Sequence, residues 1–206
     1  MGLNNREIEV KLEVGAAHSL HEVNVALRQV LEELDVSRYL LGNSTDTYWS
    51  LPESVSGQFL RMRERDGIRQ ITVKGVDRDS NLDRMEIDID STSESGTIRK
   101  LLLAALGNPV GRIEKTYHVY WLGRGKHTTV CCYTVSLPDT THLEIGLDGR
   151  REEVCSEHPR VFVEIETTNL DRLRELETKV QAGLRRYNMS TERAPGSLYE
   201  MFLKNK

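Results

Sequence analysis

The sequence predicts an α+β protein in which about eight antiparallel strands close into a barrel with a charged lumen and helices packed outside. Several extended segments alternate charged and aliphatic residues at period two, and acidic and basic segments alternate along the chain. Three other segments carry apolar residues at helical spacing. Opposed acidic and basic strands favour a closed barrel, because an open sheet with one solvated face does not require such matching.

The first predicted strand alternates charged and aliphatic residues. Glu7, Glu9 and Lys11 alternate with aliphatic residues, so the two carboxylates and the ammonium share one face. Neighbouring carboxylates suit a divalent cation such as Mg²⁺, and an adjacent lysine can hold a phosphate. Taken alone, the same alternation is also typical of an edge strand with a solvated, salt-bridged face.

Three helices are predicted. The first covers 19–34, with Ser19 as its N-cap and Glu22 completing a capping box. The second covers 95–106 and ends before a glycine, and the third covers 171–187. Each has one apolar stripe, which allows it to pack on the outside of a sheet whose other face is charged.

The later strands supply most of the charge. Arg61, Arg63 and Arg65 share one face of their strand, and like charges there repel unless anions lie opposite. An acidic strand with Glu86 and Asp88 follows soon after. The predicted strands after the first helix are 59–65, 68–75, 84–90, 112–122, 128–135, 141–148 and 161–167.

Length and composition indicate one domain over residues 1–206. The formal net charge is −4, so the chain lacks the basic footprint typical of nucleic-acid binding. We find neither the ~20-residue apolar run of a membrane span nor a signal-peptide apolar region. We therefore expect a cytoplasmic protein that binds neither nucleic acid nor membrane, and a homodimer is left open. Three cysteines without metal spacing are expected to be reduced and structural.

Five ordered motifs carry a resemblance to a known family. In this order they resemble CYTH proteins, the triphosphate tunnel metalloenzymes, over nearly the whole chain. The motifs are Glu7-x-Glu9-x-Lys11, Leu60-Arg61-Met62-Arg63, Thr72-Val73-Lys74-Gly75, Glu114-Lys115-Thr116 and Glu164-Ile165-Glu166.

The resemblance implies an antiparallel tunnel, dependence on Mg²⁺ or Mn²⁺, and action on triphosphates. It implies that Asp148 is a further metal ligand or orients water, and that Glu86 and Asp88 fix the arginines beside the substrate. The alternative for Glu86 and Asp88 is an ordinary solvated strand face. The implied metal carboxylates are Glu7, Glu9, Glu164 and Glu166. The expected catalytic and phosphate-binding cations are Lys11, Arg61, Arg63 and Lys74, and the charge pattern adds Arg65 and Lys115 to the substrate site.

The chain departs from the family pattern in the Lys-Thr motif. Many relatives carry arginine two residues after the lysine of the Lys-Thr pair, where this chain has Tyr117. If Tyr117 lies in the lumen, one phosphate-facing cation is missing. Arg112, Arg124 or Arg151 would then have to replace it.

Three other polar residues are expected to be structural. Asp46 lies in the segment TDTYW, where an aspartate readily bonds its own backbone, so a turn is predicted there. His118 and His142 lie on predicted strands and are expected to be structural, although His142 is also a candidate proton carrier.

The leading hypothesis is a metal-dependent hydrolase of a small molecule that carries a triphosphate: tripolyphosphate, thiamine triphosphate or a nucleoside triphosphate. Phosphoryl transfer asks mainly for positioning and charge stabilisation, which arginines and a metal supply. The alternative is a class IV adenylyl cyclase, which must also hold adenine and ribose. A third hypothesis is a non-catalytic module that binds a polyphosphate or nucleotide.

Overall fold

The computed structural model describes residues 7–51, 57–75, 83–84, 86–91, 95–123, 128–137, 141–145, 151–155 and 159–203. The strands, numbered β1 to β12 in chain order, are Glu7–Val14, Val36–Ser50, Gly57–Arg65, Ile68–Gly75, Asp83–Arg84, Glu86–Ser91, Gly111–Leu122, Thr128–Ser136, Thr141–Ile145, Arg151–Cys155, Arg160–Thr167 and Thr191–Arg193. The helices α1 to α4 are Leu20–Leu31, Ser95–Leu106, Leu170–Arg185 and Leu198–Phe202.

One antiparallel sheet forms the tunnel. Its strand order is β12-β1-β11-β8-β7-β2-β3-β4-β6. The short strand β5 pairs with β1 through Glu7 opposite Arg84 and Ile8 opposite Asp83. Only one residue separates β5 from β6, so the chain links β1 to the far end of the strand order. The predicted α+β tunnel with outer helices is confirmed, and its closing contact is only two residue pairs long. Strands β9 and β10 form a separate hairpin.

The outer face of the sheet is apolar and carries the helices. Val10, Leu12 and Val14 alternate with the charged residues of β1 and are buried against α1 and α3. The α1 N-terminus has the predicted capping box, in which Ser19 and Glu22 bond each other's backbone. The alternation of β1 therefore separates an apolar exterior, covered by helices, from a polar interior.

An apolar cluster also occupies part of the inner face. Because paired residues of neighbouring strands share a face, Tyr48, opposite Arg61, and Tyr133, opposite Phe162, point inward. These rings are buried together with Tyr199 of α4. The lumen is therefore charged over one part and filled by aromatic side chains and α4 over another.

Strand β2 was not predicted, and the turn expected at Asp46 is wrong. Asp46 lies within the 15-residue strand Val36–Ser50, which pairs with β3 on one side and β7 on the other. Its glycine, serine, asparagine and threonine residues are typical of turns. Gly42 has a packing reason, since a Cβ there would approach the Tyr117 hydroxyl oxygen to 2.5 Å. Pairing of β2 with β3 on one side and with β7 on the other outweighs the local preference for a turn.

Within the described residues, no helix has the length and apolar character needed to cross a membrane.

A close approach of α1 and α3 yields a prediction about stability. A Cβ at Gly183 would overlap Cγ2 of Val30, a β-branched side chain with little rotamer freedom. Gly183→Ala should therefore lower the free energy of unfolding by about 1–3 kcal/mol, measured by urea denaturation. The double variant Val30→Ala/Gly183→Ala should recover part of this loss. Equal stability of Gly183→Ala and wild type would contradict the packing of the two helices.

Candidate active site in the tunnel

A cavity of about 270 Å³ lies in the charged part of the lumen. All predicted site residues with described side chains line it, and the structure thus brings together charges from four strands. These residues are Glu9, Lys11, Arg61, Arg63, Arg65, Lys115, Glu164 and Glu166, and the remaining lining is Tyr48, Phe59, Gln70, Ser197 and Leu198.

The other predicted site residues fall outside what the structure describes. Asp148 lies outside the described residues, and the side chains of Glu7, Lys74, Glu86 and Asp88 are not described. The backbone register pairs Lys74 with Glu86. The roles of these five residues stay predictions.

One wall of the cavity is acidic. Glu9 of β1 lies directly opposite Glu166 of β11, and Lys11 lies opposite Glu164. The ammonium of Lys11 is 3.1 Å from Glu164 Oε2 and 3.8 Å from Glu9 Oε1. Lys11 therefore balances part of the repulsion between the acidic side chains.

Tyr133 supports this wall from β8. Its hydroxyl donates a hydrogen bond of 2.9 Å to Glu164 Oε2, the same oxygen that contacts Lys11. Burial and the charge of Glu164 both raise the pKa of Tyr133 well above its usual value, so it remains a donor. This contact could not be predicted from the sequence, because a tyrosine that follows two cysteines has no distinguishing pattern.

The donor chemistry of the acidic wall fits a divalent metal. Mg²⁺ and Mn²⁺ take carboxylate oxygens, and three carboxylates from Glu9, Glu164 and Glu166 line one cavity. Among the described residues, however, no three acidic, histidine or cysteine side chains are grouped closely enough to hold an ion. The contact of Lys11 with Glu9 and Glu164 provides a physical reason. A metal would have to compete with this ammonium for the carboxylates.

The facing wall is basic and is anchored on a buried carboxylate. Asp46 has an exposed fraction of 0%. Arg63 donates to it through Nε at 2.7 Å and Nη2 at 2.8 Å, and the Lys115 ammonium is 2.9 Å from its Oδ2. Arg61 instead donates to the Thr72 hydroxyl at 3.0 Å. Asp46 is thus a central part of the site, although the sequence predicted a turn at this residue.

The charges of this group are strongly coupled. Burial alone would raise the pKa of Asp46, but the cations Arg63 and Lys115 hold it well below its usual value. Burial lowers the pKa of Lys115 to about 8, although Asp46 acts in the opposite direction. One buried carboxylate therefore balances two half-buried cations, which leaves net positive charge facing the cavity.

Tyr117 lies on the inner face, which is the case in which one phosphate-facing cation is expected to be missing. It lies opposite Tyr133 of β8, and its side chain is buried in the apolar inner cluster. Arg112 does not replace the missing cation, because it lies on the outer face and pairs with Glu114 at 3.0 Å. Arg124 lies outside the described residues.

His118 has the structural role that was predicted. It lies on the outer face of β7 and shares a hydrogen bond of 2.7 Å with the Tyr39 hydroxyl. Burial lowers the pKa of His118, so it carries little charge at neutral pH. His142 has no described side chain.

The structure belongs to the class of antiparallel tunnels with helices outside. Comparisons with known proteins agree with this class of fold. No protein-family model and no curated protein matches the chain. Solved structures do match over nearly the whole length. The PH1819 protein of Pyrococcus horikoshii is 23% identical, with a TM-score of 0.58 over 97% of this chain and 99% of its own.

Two further structures carry functional descriptions. A Hippeastrum protein, described as a candidate adenylyl cyclase with a dominant triphosphatase activity, is 14% identical, with a TM-score of 0.55 over 95% of this chain and 94% of its own. A candidate adenylate cyclase of Vibrio parahaemolyticus is 16% identical, with a TM-score of 0.57 over 95% and 97%. These matches show a shared fold, which agrees with the predicted resemblance to CYTH proteins.

The shifted pKa of Lys115 predicts a pH dependence of stability. Between pH 8 and pH 10.5, Lys115 binds a proton in the unfolded chain but not in the folded protein. The free energy of unfolding therefore gains from Lys115 as the pH rises through this window. We expect the difference between wild type and Lys115→Met, measured by urea denaturation, to shift in favour of wild type from pH 8 to pH 10.5. A difference that does not change with pH would contradict the burial of a titrating ammonium.

Proposed function

We propose that the protein is a metal-dependent hydrolase of a small molecule that carries a triphosphate. The observation that supports this most is the division of one cavity into a basic wall and an acidic wall. Arg61, Arg63 and Lys115 can neutralise phosphate oxygens opposite the carboxylates of Glu9 and Glu166. This is the charge distribution that a polyanion and its divalent cation require.

The chain's own residues carry the positioning and most of the charge stabilisation. Arg61 and Arg63 would bond non-bridging oxygens of the phosphate chain, where negative charge is spread during phosphoryl transfer. Lys11 would exchange its contact with Glu164 for a phosphate oxygen, and so release that carboxylate. Glu9, Glu164 and Glu166 would hold Mg²⁺ or Mn²⁺, which supplies charge neutralisation and lowers the pKa of a bound water.

The second candidate is an adenylyl cyclase. A groove of about 570 Å³ at the tip of the β3–β4 hairpin shares Arg65 and Lys115 with the tunnel cavity, and offers room for the nucleoside of ATP. The groove lining is rich in hydroxyl and carboxylate groups and includes no aromatic ring on which adenine can stack. This composition favours the hydrolase.

One assay separates the hypotheses. The purified protein is incubated with ATP, tripolyphosphate or thiamine triphosphate, in each case with Mg²⁺, with Mn²⁺ or with a chelator. A hydrolase releases orthophosphate or pyrophosphate, whereas a cyclase forms cyclic AMP together with pyrophosphate. Binding of a triphosphate without any product in all combinations would identify the non-catalytic module, and absence of binding would overturn the proposal.

Two glutamines at the acidic wall test the metal role. Glu9→Gln and Glu166→Gln each remove a charged donor at nearly constant volume, so turnover at limiting Mg²⁺ should fall more than about hundredfold. Because Glu9 and Glu166 lie directly opposite each other, either change also removes like-charge repulsion and should keep or raise the melting temperature of the empty protein.

A matched control is Glu13→Gln. Glu13 lies on the same strand, and its carboxylate accepts from Arg160 rather than lining the cavity. This variant should keep its turnover. If all three variants keep wild-type turnover at limiting Mg²⁺, the acidic wall does not bind the catalytic metal.

A further inference from the structure

Asp46 is separated from the cavity by the residues that it contacts. It is fully buried and does not line the cavity, whereas Arg63 and Lys115, which it contacts, both do. A carboxylate in this position cannot touch a phosphate chain, and direct contact would be repulsive. Its influence on a ligand must pass through the residues that contact it, which are the cations Arg63 and Lys115 and, at 3.5 Å, the Tyr48 hydroxyl.

The hydrogen bonds to Asp46 select one edge of the Arg63 guanidinium. Nε and Nη2 form the side-on edge of the group, and both donate to Asp46. A guanidinium has five N–H donors, so three remain, and two of these form the end-on edge that matches two oxygens of a phosphate. The ammonium of Lys115 likewise uses one of its three N–H donors to bond Asp46 Oδ2.

We infer that Asp46 is a positioning residue for triphosphate binding: it fixes the side-on edge of Arg63 and one donor of Lys115, and thereby directs their remaining donors into the cavity. This inference rests on the proposed function, because the aimed donors need a polyanion as their ligand. Preorganised donors bind more tightly than mobile ones, since side-chain order is already present before binding.

Asp46 also acts on the charge of Lys115. The groups that face this ammonium are Asp46 on β2, Arg61 and Arg63 on β3, Glu164 on β11 and the ring of Tyr133 on β8. Asp46 and Glu164 favour the charged form, and the arginines oppose it. Loss of the nearest carboxylate should therefore leave Lys115 uncharged at a lower pH than in wild type.

The decisive variant is Asp46→Asn, which keeps the volume and removes the charge. The measurement is calorimetric affinity for inorganic tripolyphosphate in the presence of a chelator, so that binding is followed without metal-dependent turnover. At pH 8 we expect about ten- to hundredfold weaker binding than wild type, the range for losing charge-assisted hydrogen bonds. The pH at which affinity begins to fall should also be lower in the variant. Lys115→Met should remove the pH step that Lys115 causes.

The matched control is Glu177→Gln. Glu177 is also a buried carboxylate that accepts two bonds from one arginine, Arg193, but it lies on α3 outside the cavity. This variant should lose stability without losing affinity for tripolyphosphate. It separates the structural cost of breaking a buried ion pair from an effect on the ligand.

A charge-balanced variant keeps the test decisive if Asp46→Asn does not fold. Asp46→Asn/Lys115→Met removes one charge of each sign, and it should bind tripolyphosphate about tenfold more weakly than Lys115→Met alone, because Arg63 has lost its anchor. Equal affinity of these two variants, or wild-type affinity and pH dependence in folded Asp46→Asn, would overturn the inference while the proposed function stands. A wild-type protein that binds no tripolyphosphate, either with Mg²⁺ or with the chelator, would overturn both.

Discussion

The buried carboxylate of Asp46 is the interaction on which the charged half of the tunnel depends. Three strands meet at it, because β2 supplies Asp46, β3 supplies Arg63 and β7 supplies Lys115. Two cations buried so close together would repel strongly without the carboxylate between them. The same contact therefore joins three strands and makes it possible to hold positive charge at the cavity before any ligand arrives.

The fold around this contact separates two environments with a single sheet. Strand alternation places aliphatic side chains on the outer face, where α1 and α3 cover them, and charged or aromatic side chains inside. The aromatic cluster with α4 fills one part of the lumen and leaves a small polar cavity in the other. Low polarity beside this cavity strengthens its electrostatic interactions, which benefits a site that works by charge stabilisation.

The two walls of the cavity differ in how firmly their charges are held. On the basic side, Arg63 and Lys115 are bonded to a carboxylate with no solvent exposure. On the acidic side, Glu164 is held by Tyr133 and Lys11, while Lys11 also contacts Glu9 at the longer distance of 3.8 Å. Under the proposed function, the basic groups would already be in place for a phosphate chain, whereas the carboxylates would exchange Lys11 for a cation.

The sequence by itself determined the two faces of the strands and the outer helices. Period two in β1, β3 and β11 fixes which residues share a face, and the capping box at Ser19 marks the start of α1. These are local signals that depend on spacing along one segment. The three strands supply seven of the eight predicted charged residues that the fold gathers in one cavity, and Lys115 of β7 is the eighth.

Only the tertiary structure decided the role of Asp46 and the course of β2. The segment around Asp46 has turn-like composition, and its strand exists because β3 and β7 satisfy its backbone on both sides. The partners of Asp46 are 17 residues away for Arg63 and further still for Lys115, so no local pattern marks the ion triad. The position of Tyr117, the support of Glu164 by Tyr133 and the filling of the lumen by α4 were likewise decided by contacts between distant segments, because cross-strand register and burial arise only when the tunnel closes.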